Sequence, residues 1–200
     1  FGSRREIARR WAEAFGFPMA ASGRESLPQV AQYVAVDQDL SFMREQLVTH
    51  LRQEALRRYQ ALLPPDLQAA SLDELISAAG AIYAREHETE AYRVLASLPL
   101  PIYITTNPGN LLGDALRAAG KAPVVEICRW SEELTSLPSI YDSEPDYRPT
   151  PQRPLVYHLF GRLHEAESVV LTEDDYFDYL IGVTSNNDLI PPAVRRALTD

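Results

Sequence analysis

The sequence contains a single cysteine, Cys128, among its 200 residues. One thiol cannot form an internal disulfide, and it cannot supply a zinc site built from several cysteines. Because Cys128 lies in an apolar stretch that predicts a strand, we expect a buried thiol rather than a reactive one. No metal site is predicted elsewhere, since the four histidines lack the spacing of metal ligands.

Long apolar runs and basic clusters are also missing. No apolar run approaches the roughly 18 residues that indicate a membrane-spanning helix, and the opening residues FGSRREIARR do not resemble a signal peptide. The formal charge of -9 and the pI near 5.0 leave no broad basic surface for a phosphate backbone. We therefore expect a cytoplasmic protein that binds neither a membrane nor nucleic acid directly.

The chain has enough apolar residues for one sizeable core, because 46% of its residues are hydrophobic. We predict a single domain over residues 1–200. The sequence opens almost on a helix start and ends in a helix that has barely begun. We therefore expect a fragment of a longer chain, truncated at both ends.

The first half of the sequence predicts helices. Ser3 and Glu6 have capping-box spacing, and Gly16 ends the first helix. Residues 19–97 are interpreted as a helical insertion or subdomain. Its predicted helices begin near Pro28, at Asp37 or Asp39, at Ser71 and at about Glu90.

The second half predicts a βαβ arrangement. The runs LPLPIYITT, APVVEICRW and PLVYHLFG predict buried strands, and NLLGDALRAAG predicts a helix between the first two. Such a crossover is right-handed and implies a parallel sheet. Residues 131–153 predict a long irregular loop, and Thr172 to Asp175 predict the cap of a later helix. The fold class is therefore α/β, a three-layer Rossmann-like parallel sheet with helices on both faces and a helical N-terminal half.

The strand ends are the predicted ligand crevice, formed by residues 105–110, 128–153 and 160–164. In the corner TTNPGN, Pro108 fixes one φ angle, Gly109 permits a positive φ, and Asn107 projects an amide that can donate and accept. A purely structural interpretation is equally open. In that case Asn110 caps the helix and Asn107 bonds its own backbone.

The stretch YHLFGRLHE follows the third strand. Alternation places His158 and Phe160 on one side of that strand, Gly161 lets the backbone approach a ligand, and Arg162 lies at the rim. A lone histidine on a strand is more often a satisfied core group than a catalyst, and Arg162 is more often a solvated rim charge than a phosphate ligand. The acidic run TEDDYFDY is interpreted as a helix start rather than a cation site.

Four stretches taken in order resemble the sirtuin-like domains of bacterial defence and signalling proteins. They are REIARRWAEAFGFP, PIYITTNPGNLL, PLVYHLFGRLHEAESVVLTEDDYFDYL and IPPAVRRAL. The resemblance implies a Rossmann-type sheet that binds NAD and often cleaves its nicotinamide–ribose bond, as the effector module of a larger antiphage protein. Protein deacetylation is not expected, because the four-cysteine zinc module of deacetylating sirtuins cannot be built from one cysteine.

The resemblance also implies site residues and partners. Asn107 matches the asparagine that places the ribose and the attacking water, and His158 is the candidate base. NAD or a related nucleotide is the implied ligand, without a metal, and other domains of the same chain or a homo-oligomer are the implied partners. The implied ligand-binding residues are Thr105, Thr106, Asn107, Gly109, Asn110, Phe160, Gly161 and Arg162.

The sequence departs from catalytic relatives at two positions. Phe160 stands where they have histidine before the glycine, and His158 lies two residues upstream, about 7 Å away along a strand. Gly109 stands where active sirtuins carry an aspartate, and the glycine-rich phosphate loop of the family lies outside this chain. Three outcomes stay open: His158 reaches the ribose through a shifted register, the domain binds a nucleotide as a non-catalytic sensor or assembly module, or a diverged chemistry operates.

Overall fold

The computed structural model describes residues 3–20, 22–87, 89–185 and 189–199. Its α-helices are α1 Arg4–Ala14, α2 Leu27–Asp37, α3 Leu40–Tyr59, α4 Pro65–Ala69, α5 Leu72–Glu86, α6 Ala91–Ser97, α7 Leu111–Ala118, α8 Ile140–Ser143, α9 Glu173–Ser185 and α10 Pro192–Thr199. Over these described ranges, none of the helices has both the length and the apolar character needed to cross a membrane.

The N-terminal helices begin at the side chains that the sequence predicts as caps. The Ser3 side chain accepts a hydrogen bond from the Glu6 amide at the start of α1, and Ser71 and Glu74 form a reciprocal capping box on α5. Of the two alternatives for α3, Asp39 is the cap, whereas Asp37 is the last residue of α2. These starts are set by contacts within one turn, so they can be predicted locally.

Three short parallel strands form the sheet of the described chain. They are β1 Ile102–Thr105, β2 Val124–Ile127 and β3 Leu155–His158, in the spatial order β1-β3-β2. The third strand along the chain therefore lies in the centre, and all four of its residues are buried. All three carboxyl ends lie at the same edge of the sheet.

Helices cover both faces of this sheet, which confirms the three-layer α/β prediction. Tyr103 and Val156 on one face pack with α6 and α7. Leu155 and Tyr157 on the other face pack with α9, α10 and the stretch after β2. That stretch, predicted as irregular, contains the short helix α8 and a single 3₁₀ turn over residues 132–136.

The helical first half packs onto the segment that follows β3. Ile7 and Trp11 of α1, with residues of α2 and α3, share a core with Val169 and Leu171. The N-terminal helices therefore lie beside the carboxyl ends of the strands, and this arrangement leaves a cavity there.

Candidate functional site

A cavity of about 310 Å³ lies where β1 and β3 end. Its polar rim comes from the corner after β1, namely Thr106, Asn107, Pro108 and Gly109. The rest of the lining is mainly apolar and is shared by α1, α2, α3, α5, α7 and the segment after β3. These lining residues are Arg4, Ile7, Leu27, Leu47, Leu51, Ile76, Leu111, Phe160, Leu163, Val169, Val170 and Leu171.

Asn107 presents an exposed side chain at this rim, held by hydrogen bonds at both ends of its amide. Its Oδ1 accepts from the Gly109 amide at 2.9 Å, and its Nδ2 donates to the Tyr92 hydroxyl at 3.0 Å. The bond to Gly109 is the local backbone turn of the structural interpretation. Two bonds fix the amide plane, yet one N–H and one lone pair of the amide stay available to a ligand.

The corner differs from the prediction at two other residues. Gly109 does not adopt a positive φ, so the turn does not depend on the left-handed region there. Asn110 occupies the position before α7, but its side chain makes no cap hydrogen bond. Its Nδ2 donates instead to the Asp114 carboxylate at 2.9 Å, one turn along the helix.

His158 is buried beneath the corner, with 1% of its surface exposed. Its Nδ1 lies 2.9 Å from the backbone carbonyl of Asn107, which can only accept, so Nδ1 carries the hydrogen. Burial, with a smaller contribution from the charge of Arg162, lowers the pKa of His158 to about 4. The ring is therefore neutral at physiological pH, and its Nε2 has no hydrogen-bond partner among the described residues.

Phe160 corrects the prediction that it shares a side with His158. Its ring packs edge-on against Tyr176 and Tyr179 of α9, at centroid distances of 5.4 and 5.2 Å. Phe160 belongs with Leu155 and Tyr157 to the core on one face of the sheet, whereas alternation along β3 places His158 with Val156 on the other face. The physical reason is that β3 ends at His158, so the alternation of a strand no longer holds two residues later.

Gly161 and Arg162 lie next to the cavity without lining it. Gly161 has a φ of 78°, and a Cβ atom there would lie 2.0 Å from the Ser168 carbonyl oxygen. The backbone that closely approaches Gly161 is therefore that of Ser168 rather than a ligand. The Arg162 side chain is 18% exposed and lies 3.7 Å from the Glu165 carboxylate.

The cavity thus brings together four residues of the predicted site: Thr106, Asn107, Gly109 and Phe160. Thr105, Asn110 and His158 lie outside its lining, as do Gly161 and Arg162. No residue of the stretch 128–153 reaches it, because β2 lies on the far side of β3 from β1. Thr105 still contributes to the corner, since its hydroxyl accepts from the Asn107 amide at 3.0 Å.

Two parts of the cavity lining were not predicted from the sequence: the apolar residues contributed by the helices, and Arg4. The apolar wall residues, such as Leu47 and Leu51, carry the same periodic signal as core residues. Arg4 had a distinct signal, because a cation in the first turn of a helix opposes the helix dipole.

Cys128 is fully buried, and burial raises the pKa of its thiol, as expected for a structural cysteine. Within the part of the chain that the structure describes, no group of three or more histidine, cysteine, aspartate or glutamate side chains is placed to hold a metal ion.

Comparison with known proteins adds two findings. The model of the SIR2-like domain family matches residues 101–200, which contain all three strands and the corner. The chain is also 33% identical over 91 residues to the NAD(+) hydrolase ThsA of Enterococcus faecium. That match covers 46% of this chain and 16% of the relative, so the chain spans only a small part of that protein's length. Because the family model covers half of the sequence, this chain belongs to the SIR2-like domain family.

Proposed function

We propose that the cavity binds NAD and that the protein hydrolyses the bond between nicotinamide and ribose. The observation that carries the proposal is the fixed amide of Asn107 at the rim of a cavity where two parallel strands end. Family membership and the similarity to a protein named as an NAD(+) hydrolase support it.

The volume and the lining of the cavity fit the nicotinamide–ribose half of NAD. About 310 Å³ lies at the lower end of the roughly 300 to 1,000 Å³ typical of small-molecule sites. The apolar lining suits the flat faces of an aromatic ring, and the polar rim suits a sugar. The same lining favours the neutral nicotinamide that leaves over the cationic pyridinium of bound NAD. We therefore place the nicotinamide end inside, with its ribose beside Asn107.

The proposed reaction needs a positioned water more than a strong nucleophile. When the bond between ribose C1′ and the pyridinium nitrogen breaks, its electron pair leaves with nicotinamide and the sugar becomes oxocarbenium-like. A water molecule then adds to C1′ and gives up a proton to bulk water, since the described lining offers no carboxylate or histidine to accept it. The free N–H and lone pair of the Asn107 amide can hold that water or a ribose hydroxyl in line for attack.

His158 is better suited to positioning than to direct proton transfer. Its ring is 1% exposed and lies outside the cavity lining, so contact with a water on the ribose would require the corner above it to move. Its bond to the Asn107 carbonyl instead holds the backbone of the residue that carries the amide. We propose His158 as a positioning residue in place of the predicted base.

The test follows nicotinamide release from NAD by the full-length protein. Asn107→Ala should lower kcat by about 100-fold, because a misplaced water costs roughly that much. Tyr92→Phe should cause a smaller loss, since it removes only the hydroxyl that orients the amide. Tyr33→Phe on α2 is the matched control, since that side chain packs on Phe17 outside the cavity lining. Wild-type turnover by Asn107→Ala would overturn the assignment.

A second function, NAD binding without cleavage, is favoured by a different observation. The lining contains no carboxylate and no histidine among the described residues, and Phe160 is fixed in an aromatic cluster. The same experiment separates the two functions. NAD binding by the wild-type protein with no nicotinamide release under any activating condition would support the sensor function.

The setting implied by the resemblance is an effector module in the cytoplasm of a bacterium under phage attack. We extend the proposal to that setting, where cleavage would deplete cellular NAD. Cells that express the full-length protein should lose NAD after phage infection, and cells with the Asn107→Ala variant should retain it. Equal NAD loss in both strains would argue against this role.

A further inference from the structure

We propose that Arg4 binds a phosphate group of the ligand at the cavity, with Tyr176 orienting its guanidinium group. The inference rests on the proposed function, because the phosphate is taken to belong to the nucleotide whose other end enters the cavity. It assigns a ligand-binding role to a residue outside the strand-end corner.

Arg4 is the charged side chain in the lining of the cavity, as far as the described residues extend. The other arginines of α1 are paired with carboxylates: Arg5 and Arg9 share Glu25, and Arg10 pairs with Glu6 and Glu54. Among the described residues no carboxylate lies within ion-pair distance of Arg4. Its positive charge is therefore available to an anion.

Tyr176 fixes the direction of this charge. The Arg4 Nη2 atom donates to the Tyr176 hydroxyl at 2.8 Å, and the guanidinium carbon lies 5.8 Å from the centre of the ring. Tyr176 is itself held edge-on by Phe160, which also lines the cavity. One of the five guanidinium N–H groups is used in this way, so enough remain for a bidentate bond to a phosphate.

The division of the lining identifies the ligand class. The interior is apolar and the corner is polar but uncharged, so neither compensates a phosphate. NAD carries its two phosphates beyond the ribose that we place at Asn107. A ligand with an aromatic ring, a sugar and then a phosphate matches this order of apolar wall, amide rim and cation.

The test compares equilibrium binding of NAD, nicotinamide riboside and inorganic pyrophosphate to the full-length protein at one fixed salt concentration. Arg4→Gln should weaken NAD binding roughly tenfold to a hundredfold, as expected when a hydrogen bond to a charged group is lost. It should leave nicotinamide riboside binding within about twofold, because that ligand has no phosphate. Tyr176→Phe should weaken NAD binding by less, and Arg4→Lys should restore part of the loss. Arg9→Gln, which removes a charge already paired with Glu25, is the matched control.

Two outcomes would overturn the proposal. Unchanged NAD binding by Arg4→Gln would show that Arg4 does not contact the ligand. Equal losses for NAD and nicotinamide riboside, together with a lower thermal midpoint, would show that Arg4 only ties α1 to α9.

Failure of the proposed function gives a different result from failure of the Arg4 proposal. If the wild-type protein binds pyrophosphate in an Arg4-dependent manner but not NAD, the anion site stands without that function. If it binds neither, both proposals fail.

Discussion

At the scale of single residues, His158 shows how burial changes the behaviour of a histidine. The ring is enclosed, its Nδ1 hydrogen is committed to the Asn107 carbonyl, and its pKa falls from 6.5 to about 4. Between these two values the unfolded chain takes up a proton that the folded chain does not bind. Stability should therefore decrease as the pH falls through this window.

We expect the loss to reach about 3 kcal/mol, since each unit of pKa shift corresponds to about 1.4 kcal/mol. His158→Gln should flatten the pH dependence of the free energy of unfolding between pH 6.5 and 4. Urea unfolding at several pH values measures the effect, with the exposed His164 replaced by Gln as the control. The raised pKa of Glu126 acts in the opposite direction, but that residue is present in both proteins. An unchanged slope would show that His158 is protonated freely in the folded state.

At the scale of elements, the turn after β3 depends on one glycine. Gly161 and Gly120 both have a φ of 78°, which side chains adopt only under strain. They differ in their surroundings. A Cβ atom at Gly120 would meet nothing within 4 Å, whereas one at Gly161 would overlap the Ser168 carbonyl.

This pair provides a matched prediction. Gly120→Ala should cost roughly 1 to 2 kcal/mol of stability, the ordinary penalty of the left-handed region. Gly161→Ala should cost about 1 to 3 kcal/mol more, because the segment that carries Ser168 and Val169 must move. Since Val169 lines the cavity, the second variant should also weaken ligand binding. Equal unfolding free energies for the two variants would contradict the packing argument.

At the scale of the whole molecule, the core of the helical half and the core on one face of the sheet meet at residues 168–171. Trp11 lies in the core formed by α1 to α3, which includes Val169 and Leu171 from the segment after β3. Trp130 lies in the core on the other face of the sheet, and its indole N–H donates to the Ser168 carbonyl next to Val169. Because the cores meet at this segment, we expect the chain to unfold as one unit.

The two tryptophans of the sequence permit a direct test of the predicted single domain over residues 1–200. In the 200-residue chain, Trp130→Phe leaves Trp11 as the fluorescent probe, and Trp11→Phe leaves Trp130. Within each variant, the urea midpoint from fluorescence should coincide with that from far-UV circular dichroism. If Trp11 reports an earlier transition, the helical half that packs around it, α1 together with α2 and α3, unfolds as a separate unit.

The sequence by itself determined the starts of α1, α2, α5 and α6, the order of the three strands along the chain, and the turn that the Asn107 side chain makes with Gly109. It did not determine α4 or α8, or the start of α7, where Asn110 makes no cap hydrogen bond. The features that it determined depend on contacts within about four residues, such as the hydrogen bonds that the Glu6 amide donates to the Ser3 side chain and the Gly109 amide donates to Asn107. The family could likewise be identified from the strand-end stretches, because they are contiguous in the chain. Hydrogen bonds between residues this close in sequence can form in any fold that buries the same apolar faces.

The tertiary structure alone decided the composition of the cavity. Arg4, Leu47 and Leu163 line one space although they are far apart in sequence, and an apolar residue gives the same pattern whether it fills a core or faces a ligand. Because β3 ends at His158, Phe160 packs against α9. Because β3 lies between β1 and β2, the stretch after β2 does not reach the cavity. These outcomes depend on which elements pair, and pairing between distant segments is set by packing rather than by local sequence.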